Sequence, residues 1–243
     1  MAHQAATPPH TPFTEHGTPA HASVPADHGH DHAHHFDDAV QQYDATTLGM
    51  WAFLATEVLF FGGMFCAYVI YRNEFFEGFR EASMHLSKWL GFTNTGVLLC
   101  SSFTAAMSVR AAHQGRRNAC CNWMLLTAIL GTAFVAIKLT FEYTHEYHLG
   151  LMPAAGLWHY VSSSGDPTQT NHVRIFFFFY FMMTMIHALH MVIGVGVMLW
   201  AIIRARFFGF AIERTNMPEM LGLYWHFVDI VWIFLFPLLY LIR

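Results

Sequence analysis

From Thr47 onward the chain is written in long apolar runs separated by short polar links, and five of these runs are long enough to cross a bilayer. A helix rises about 1.5 Å per residue, so about 20 apolar residues span a hydrocarbon core of roughly 30 Å. The runs cover residues 47–71, 89–109, 118–143, 174–203 and 218–242. Backbone groups in lipid must satisfy one another, so each run is predicted to be a helix. Trp51, Tyr71, Trp89, Trp123, Tyr143, Trp200 and Tyr240 lie near the run ends, where interfacial aromatics belong. The predicted fold is an all-α integral membrane protein, a five-transmembrane-helix bundle over residues 45–243. The 30 residues of 144–173, with Pro153, Gly156 and Pro167, are predicted to form an external loop.

The first 44 residues are different: they carry nine of the 18 histidines, five of the nine prolines, six acids and no Lys or Arg. Too little apolar surface is present there to offset the entropy of ordering, so residues 1–44 are expected to be a disordered His/Pro-rich tail. The tail has neither the basic start nor the apolar stretch of a secretory signal. Its cluster His28, His30, His32, His34 and His35 is a candidate for loose zinc or copper binding, against the alternative of a solvated tail.

Charge refines this picture. Only 12% of residues are charged against 55% hydrophobic, and no basic face is clustered enough to suggest a nucleic-acid partner. The links that share a side with the N-terminus hold six arginines (Arg110, Arg116, Arg117, Arg204, Arg206, Arg214), and the opposite side holds five bases (Arg72, Arg80, Lys88, Arg174, Arg243). The positive-inside rule therefore places the N-terminus in the cytoplasm and the C-terminus in the periplasm. Cys66 and Cys100 lie in apolar runs and Cys120 and Cys121 are adjacent, which is no disulfide framework.

Ionisable residues inside apolar runs are the candidate functional positions, since each costs a few kcal/mol to insert. Glu57 and Asp229 fall near mid-membrane in the first and fifth runs. Each is either a protonated or hydrogen-bonded carboxyl between helices, or a site for lipid or protons. His226 and Asp229 are three apart and share a helix face, as do His187 and His190. Two histidines do not close a metal site, so polar helix packing is the expected role for all four. Lys138 and Glu142, four apart, are expected to form an ion pair whose stems reach the interface. Gly62, Gly63, Gly194 and Gly196 mark expected close helix approaches, with Ser101, Ser102 and Thr104 available for interhelical bonds. No nucleophile with its base, phosphate loop or closed metal site is legible.

Five motifs taken together carry a resemblance. Glu57-Val58-Leu59-Phe60-Phe61, Phe141-Glu142-Tyr143, His187-x-x-His190, Tyr224-Trp225-His226-Phe227-Val228-Asp229-Ile230-Val231-Trp232, and the second-run segment Asn94-Thr95 to Thr104 resemble subunit III of the haem-copper terminal oxidases, the cytochrome c oxidase type in particular. The likeness covers about residues 45–243 and suggests the last five helices of a seven-helix fold, as in compact bacterial forms. It implies a subunit that holds no haem or copper itself, those belonging to partner subunits, and that packs mainly on subunit I, with subunit II and other respiratory subunits nearby. The complex would reduce oxygen to water and translocate protons in a bacterial inner membrane, and this subunit would sustain proton uptake. Glu57 matches the family's carbodiimide-reactive carboxyl beside a phospholipid cleft, and Arg204 the base that meets a lipid phosphate. Met185 stands where the family often has glycine. A subunit of a quinol oxidase or nitric oxide reductase is the near alternative, and a His-rich metal transporter the distant one.

Overall fold

The computed structural model describes residues 39–153, 158–163, 165–209, 211–212 and 215–242. Among them five helices are long and apolar enough to cross a membrane, and the one extended pairing is an isolated bridge between Leu151 and Trp158. The elements in order are α1 (Ala39–Glu74), α2 (Phe76–Met84), α3 (Lys88–His113), α4 (Arg117–Ile137), a π-helical turn (Lys138–Tyr143), α5 (Thr144–His148), α6 (Pro167–Phe207) and α7 (Met217–Tyr240). The integral-membrane helical bundle expected from the apolar runs is the fold observed.

The helices outrun the apolar segments because nothing at the run ends stops them. α1 begins at Ala39, so residues 39–44 are helical rather than part of the expected disordered tail, the third span continues into the polar residues up to His148, and α6 starts as early as Pro167. The predicted loop over 144–173 therefore shrinks to residues 149–166. Real stops coincide with backbone chemistry. Asp166 caps α6 by accepting from the Thr168 N–H at 2.9 Å, with Pro167 in the first turn. Gly115 and Gly209, at φ of 66° and 69°, end α3 and α6 in the left-handed region that glycine adopts without strain. The short α2 went unpredicted, since nine residues with alternating polar character carry no spanning signal.

α7 is the most enclosed span and α1 the least. Two indoles fix α7 against α3: Trp225 Nε1 donates to Ser101 Oγ at 3.0 Å and Trp232 Nε1 to Thr95 Oγ1 at 3.1 Å. Both rings are fully buried, and the space for Trp225 is made by glycine. A Cβ on Gly131 of α4 would lie 2.5 Å from Trp225, and one on Gly194 of α6 would lie 2.9 Å from Tyr224. Thr104 and Thr127 join α3 to α4 at 2.8 Å. Lipid is as apolar as leucine, so close packing and interhelical hydrogen bonds, rather than burial from water, hold such a bundle. The expected close approaches at Gly62, Gly63 and Gly196 are absent: a Cβ there meets nothing within 4 Å. All three lie on exposed helix faces, Gly62 and Gly63 on α1 and Gly196 on α6.

On the side of the bundle where the chain ends, α2 and the loop before α6 are clasped by one carboxylate. Glu81 accepts from Tyr160 Oη at 2.9 Å, from the Ser163 N–H at 2.7 Å and from Gln169 Nε2 at 3.3 Å. Burial pushes the Glu81 carboxyl up, but the Ser163 backbone N–H with the Ser163, Tyr160 and Gln169 side chains outweigh it and hold the group below the ordinary carboxylate value. Burial also raises Tyr160 to about 12, with Glu81 adding to the rise. His85 contacts Tyr160 Oη at 3.0 Å.

Two outcomes follow from this packing. Gly131→Val should destabilise the folded chain by about 1–3 kcal/mol through overpacking against Trp225, read as a lowered midpoint in detergent thermal unfolding. A depressed Glu81 favours the clasped state above the ordinary carboxylate range, and that contribution is lost as pH falls through the folded value. Limited proteolysis should accordingly cut within 149–166 faster on acidification below the carboxylate range, and in Glu81→Gln at neutral pH as well.

Candidate functional site

The acidic residue of α1 meets α6 near mid-membrane. Glu57 Oε2 lies 3.2 Å from His190 Nε2, an ion-pair distance that falls short of an aligned hydrogen bond. His190 Nδ1 lies 2.8 Å from the carbonyl of Ile186, which only accepts, so Nδ1 carries a hydrogen. A neutral ring then presents a bare Nε2 to the carboxyl. One additional proton must sit on either Glu57 or His190 for the contact to be attractive. Two further contacts hold the position: Tyr224 Oη of α7 donates to the His190 carbonyl at 2.9 Å, and the Phe61 ring meets the imidazole edge-on at 5.5 Å. Both Glu57 and His190 are partly buried rather than sealed, with side chains 18% and 15% exposed, so the pair is reachable from outside the bundle.

The two histidines three apart on α6 face different surroundings. His187 is 1% exposed, wedged between Phe134 at 5.7 Å and Trp232 at 5.3 Å, and neither ring nitrogen has a hydrogen-bond partner. His226 bonds to Ser102 Oγ at 2.7 Å through Nδ1, tying α7 to α3. Asp229, one turn along, is 3% exposed with neither carboxyl oxygen partnered, and Asn94 of α3 is in the same condition. His226 and Asp229 thus share a face without bonding to each other.

The Lys138–Glu142 pair forms at 2.7 Å, but its charged ends do not reach the interface. Lys138 is 1% exposed and donates to Tyr180 Oη at 2.9 Å and to Tyr240 Oη, while Tyr240 in turn donates to Glu142 Oε1. The ammonium lies 4.8–5.7 Å from the rings of Tyr143, Tyr180, Trp232 and Tyr240. Phenol oxygens and aromatic faces replace the water that a snorkelling lysine would seek. The helix is π-wound from Lys138 to Tyr143, and such insertions recur at functional positions.

Sequence reasoning missed Glu146, one turn beyond Glu142 and 2% exposed, with both oxygens lacking a hydrogen-bond partner. The i, i+4 spacing would have revealed it had the helix not been ended at Tyr143. Arg204 lies 14 residues beyond His190 on α6, about 21 Å along the axis, with its guanidinium 5.4 Å from the Trp200 ring. Among the described residues no group of three or more His, Cys, Asp or Glu is placed to hold a metal ion. His28, His30, His32, His34 and His35 lie outside the described residues.

Lys138→Met should leave a buried unpaired Glu142 and cost about 3–5 kcal/mol, whereas replacing both members with apolar residues of similar volume should cost much less. Denaturant or thermal titration of the single and double variants checks the difference.

Comparison with known proteins adds a second line of information. A family model described as cytochrome c oxidase subunit III matches residues 169–242. The chain is 30% identical over 197 residues to a probable cytochrome c oxidase subunit 3 of Nocardia farcinica, covering 81% of this chain and 88% of that protein. It is 30% identical over 199 residues to cytochrome c oxidase subunit 3 of Alkalihalophilus pseudofirmus, covering 80% and 85%. It is 27% identical over 218 residues to quinol oxidase subunit 3 of Bacillus subtilis, covering 87% and 97%.

Proposed function

Since the chain belongs to the subunit III family of the haem-copper oxidases, whose members are non-catalytic parts of a multi-subunit complex, we propose that it serves a cytochrome c oxidase that reduces oxygen to water and translocates protons. Supporting the cytochrome c reading are the two relatives at 30% identity that bear that name. The quinol oxidase relative, at 27% identity over a longer stretch, keeps a quinol donor as the second reading. In either case the haems and copper lie in partner subunits, and this chain's contribution is positional and electrostatic.

The observation that carries the reading is the Glu57–His190 contact, a proton-holding pair at the crossing of the loosely packed α1 with α6. A carboxyl placed there matches the family's carbodiimide-reactive position. By the family likeness this face would lie against phospholipid acyl chains, with Arg204 in the last turn of α6 toward a lipid phosphate. His190 and His226 act as polar locks that set helix rotation through Glu57 and Ser102, as Lys138 does with Glu142, whereas His187 and Asp229, whose side chains make no hydrogen bond among the described residues, contribute by packing alone. Subunit I is the main partner, subunit II and further respiratory subunits complete the complex, and the N-terminus faces the cytoplasm of a bacterial cell. Residues 1–38, which precede α1, take no part in the chemistry of the membrane domain on this reading.

Tagged full-length chain, extracted in mild detergent, should bring down haem-bearing subunits whose oxygen uptake runs on reduced cytochrome c. Uptake on quinol alone would transfer the assignment to the second reading. In the same complex, Glu57→Gln should reduce carbodiimide labelling of this subunit to background while leaving the haem spectra unchanged; persistent labelling would remove Glu57 from the role.

A further inference from the structure

The end of the bundle on the N-terminal side carries a basic recess that the family reading leaves unused. Two adjoining cavities, of about 480 and 260 Å³, open where α3 turns into α4. The larger is lined by Arg116, Arg117, Asn118 and Ala119, and the smaller by Arg110, Arg116, Gln114, Met107 and Trp123 among others. Arg116 is common to both. Arg110, Arg116 and Arg117 have no carboxylate within ion-pair distance among the described residues. Glu219, an acid at this end, is engaged elsewhere, 3.2 Å from His113 and accepting from Tyr43 at 3.1 Å.

This charge distribution is unfavourable as it stands. α4 begins at Arg117, has no acid in its first turn, and no side chain caps its N-terminus. The positive end of a helix dipole ordinarily attracts acids, and here it faces two consecutive arginines. An anion seated in the recess would relieve three guanidinium charges and the uncapped N–H groups together. Guanidinium forks match the paired oxygens of a phosphate bidentately.

The surroundings choose the source of that phosphate. Trp123 lies six residues below Arg117, about 9 Å along α4, the depth of an interfacial aromatic. Met107 and Ala119 form apolar parts of the lining. Exposed Phe103 lies one turn from Met107 on α3, and exposed Leu126 lies one turn from Trp123 on α4. A basic rim, an indole at interface depth and an apolar track leading into the membrane make the outline of a phospholipid. We propose that Arg110, Arg116 and Arg117, with the start of α4, form a binding site for the phosphate of an anionic phospholipid, its acyl chains lying along the α3–α4 surface. The site is on a different pair of helices from the α1–α6 crossing and does not rest on the choice of electron donor.

The intact detergent-solubilised complex, titrated with phosphatidylglycerol and separately with phosphatidylcholine, tests this by native mass spectrometry. Wild type should show a site that takes phosphatidylglycerol at least tenfold more tightly than phosphatidylcholine and weakens as ionic strength rises. Each arginine near a charged membrane surface contributes roughly fivefold, so Arg116→Gln alone should weaken the site about fivefold and the triple Gln variant about a hundredfold. The triple Lys variant should retain most of the preference, and the haem-to-subunit ratio should stay constant across variants. The proposal is overturned if phosphatidylglycerol binding is salt-independent in wild type, or unchanged in Arg116→Gln. It is equally overturned if both lipids are lost in parallel, or if millimolar inorganic phosphate displaces phosphatidylglycerol, which would make the site one for a soluble anion.

Discussion

The bundle depends on how α7 satisfies two indole N–H groups in a medium that offers no water. Trp225 and Trp232 are seven residues apart, on one face of α7, and each donates to a hydroxyl of α3. An unsatisfied donor in hydrocarbon costs several kcal/mol, so these two bonds fix both the rotation of α7 and its register along α3. Both rings are large, and glycines on α4 and α6 yield the space that Trp225 fills. Three helices are thereby locked around one, and α1 is left outside the lock.

That division explains where the polar residues act. Inside the lock, polar groups rigidify: Lys138 is enclosed by Glu142, two phenols and four rings, and Thr104 meets Thr127. At the boundary between the lock and α1, the contact of Glu57 with His190 is only partly buried and needs a shared proton. A helix held by few contacts therefore presents an ionisable pair at a boundary that is open to its surroundings, while the polar groups inside the lock are sealed. The two ends of the bundle differ as well, with a carboxylate clasp over the loop on one side and an arginine recess on the other.

Much of the architecture was legible because membrane insertion is read from composition. The number of spans and the indifference of the four cysteines to disulfide formation all come from the lengths of apolar runs and from residue spacing. Helix ends were less legible. Thr144 to His148 looks like loop by hydropathy, yet the helix continues because its backbone bonds persist beyond the hydrocarbon boundary, and Glu146 was overlooked with it. Glycine was an ambiguous sign: Gly131 and Gly194 mark tight contact, Gly62 and Gly63 none, and the difference lies in whether a tryptophan stands opposite.

The order of residues alone determined a helical membrane bundle of five spans and the polar positions within it, since transfer free energy and helical periodicity are local properties of the chain. Only the tertiary structure decided which of those positions meet. His190 turns to Glu57 while His187, one turn away, turns to Phe134 and Trp232; Lys138 stays buried instead of reaching water. Spacing places a side chain on a helix face, but what that face encounters depends on the rotation and separation of helices far apart in the chain, and these are set by the packing of the whole.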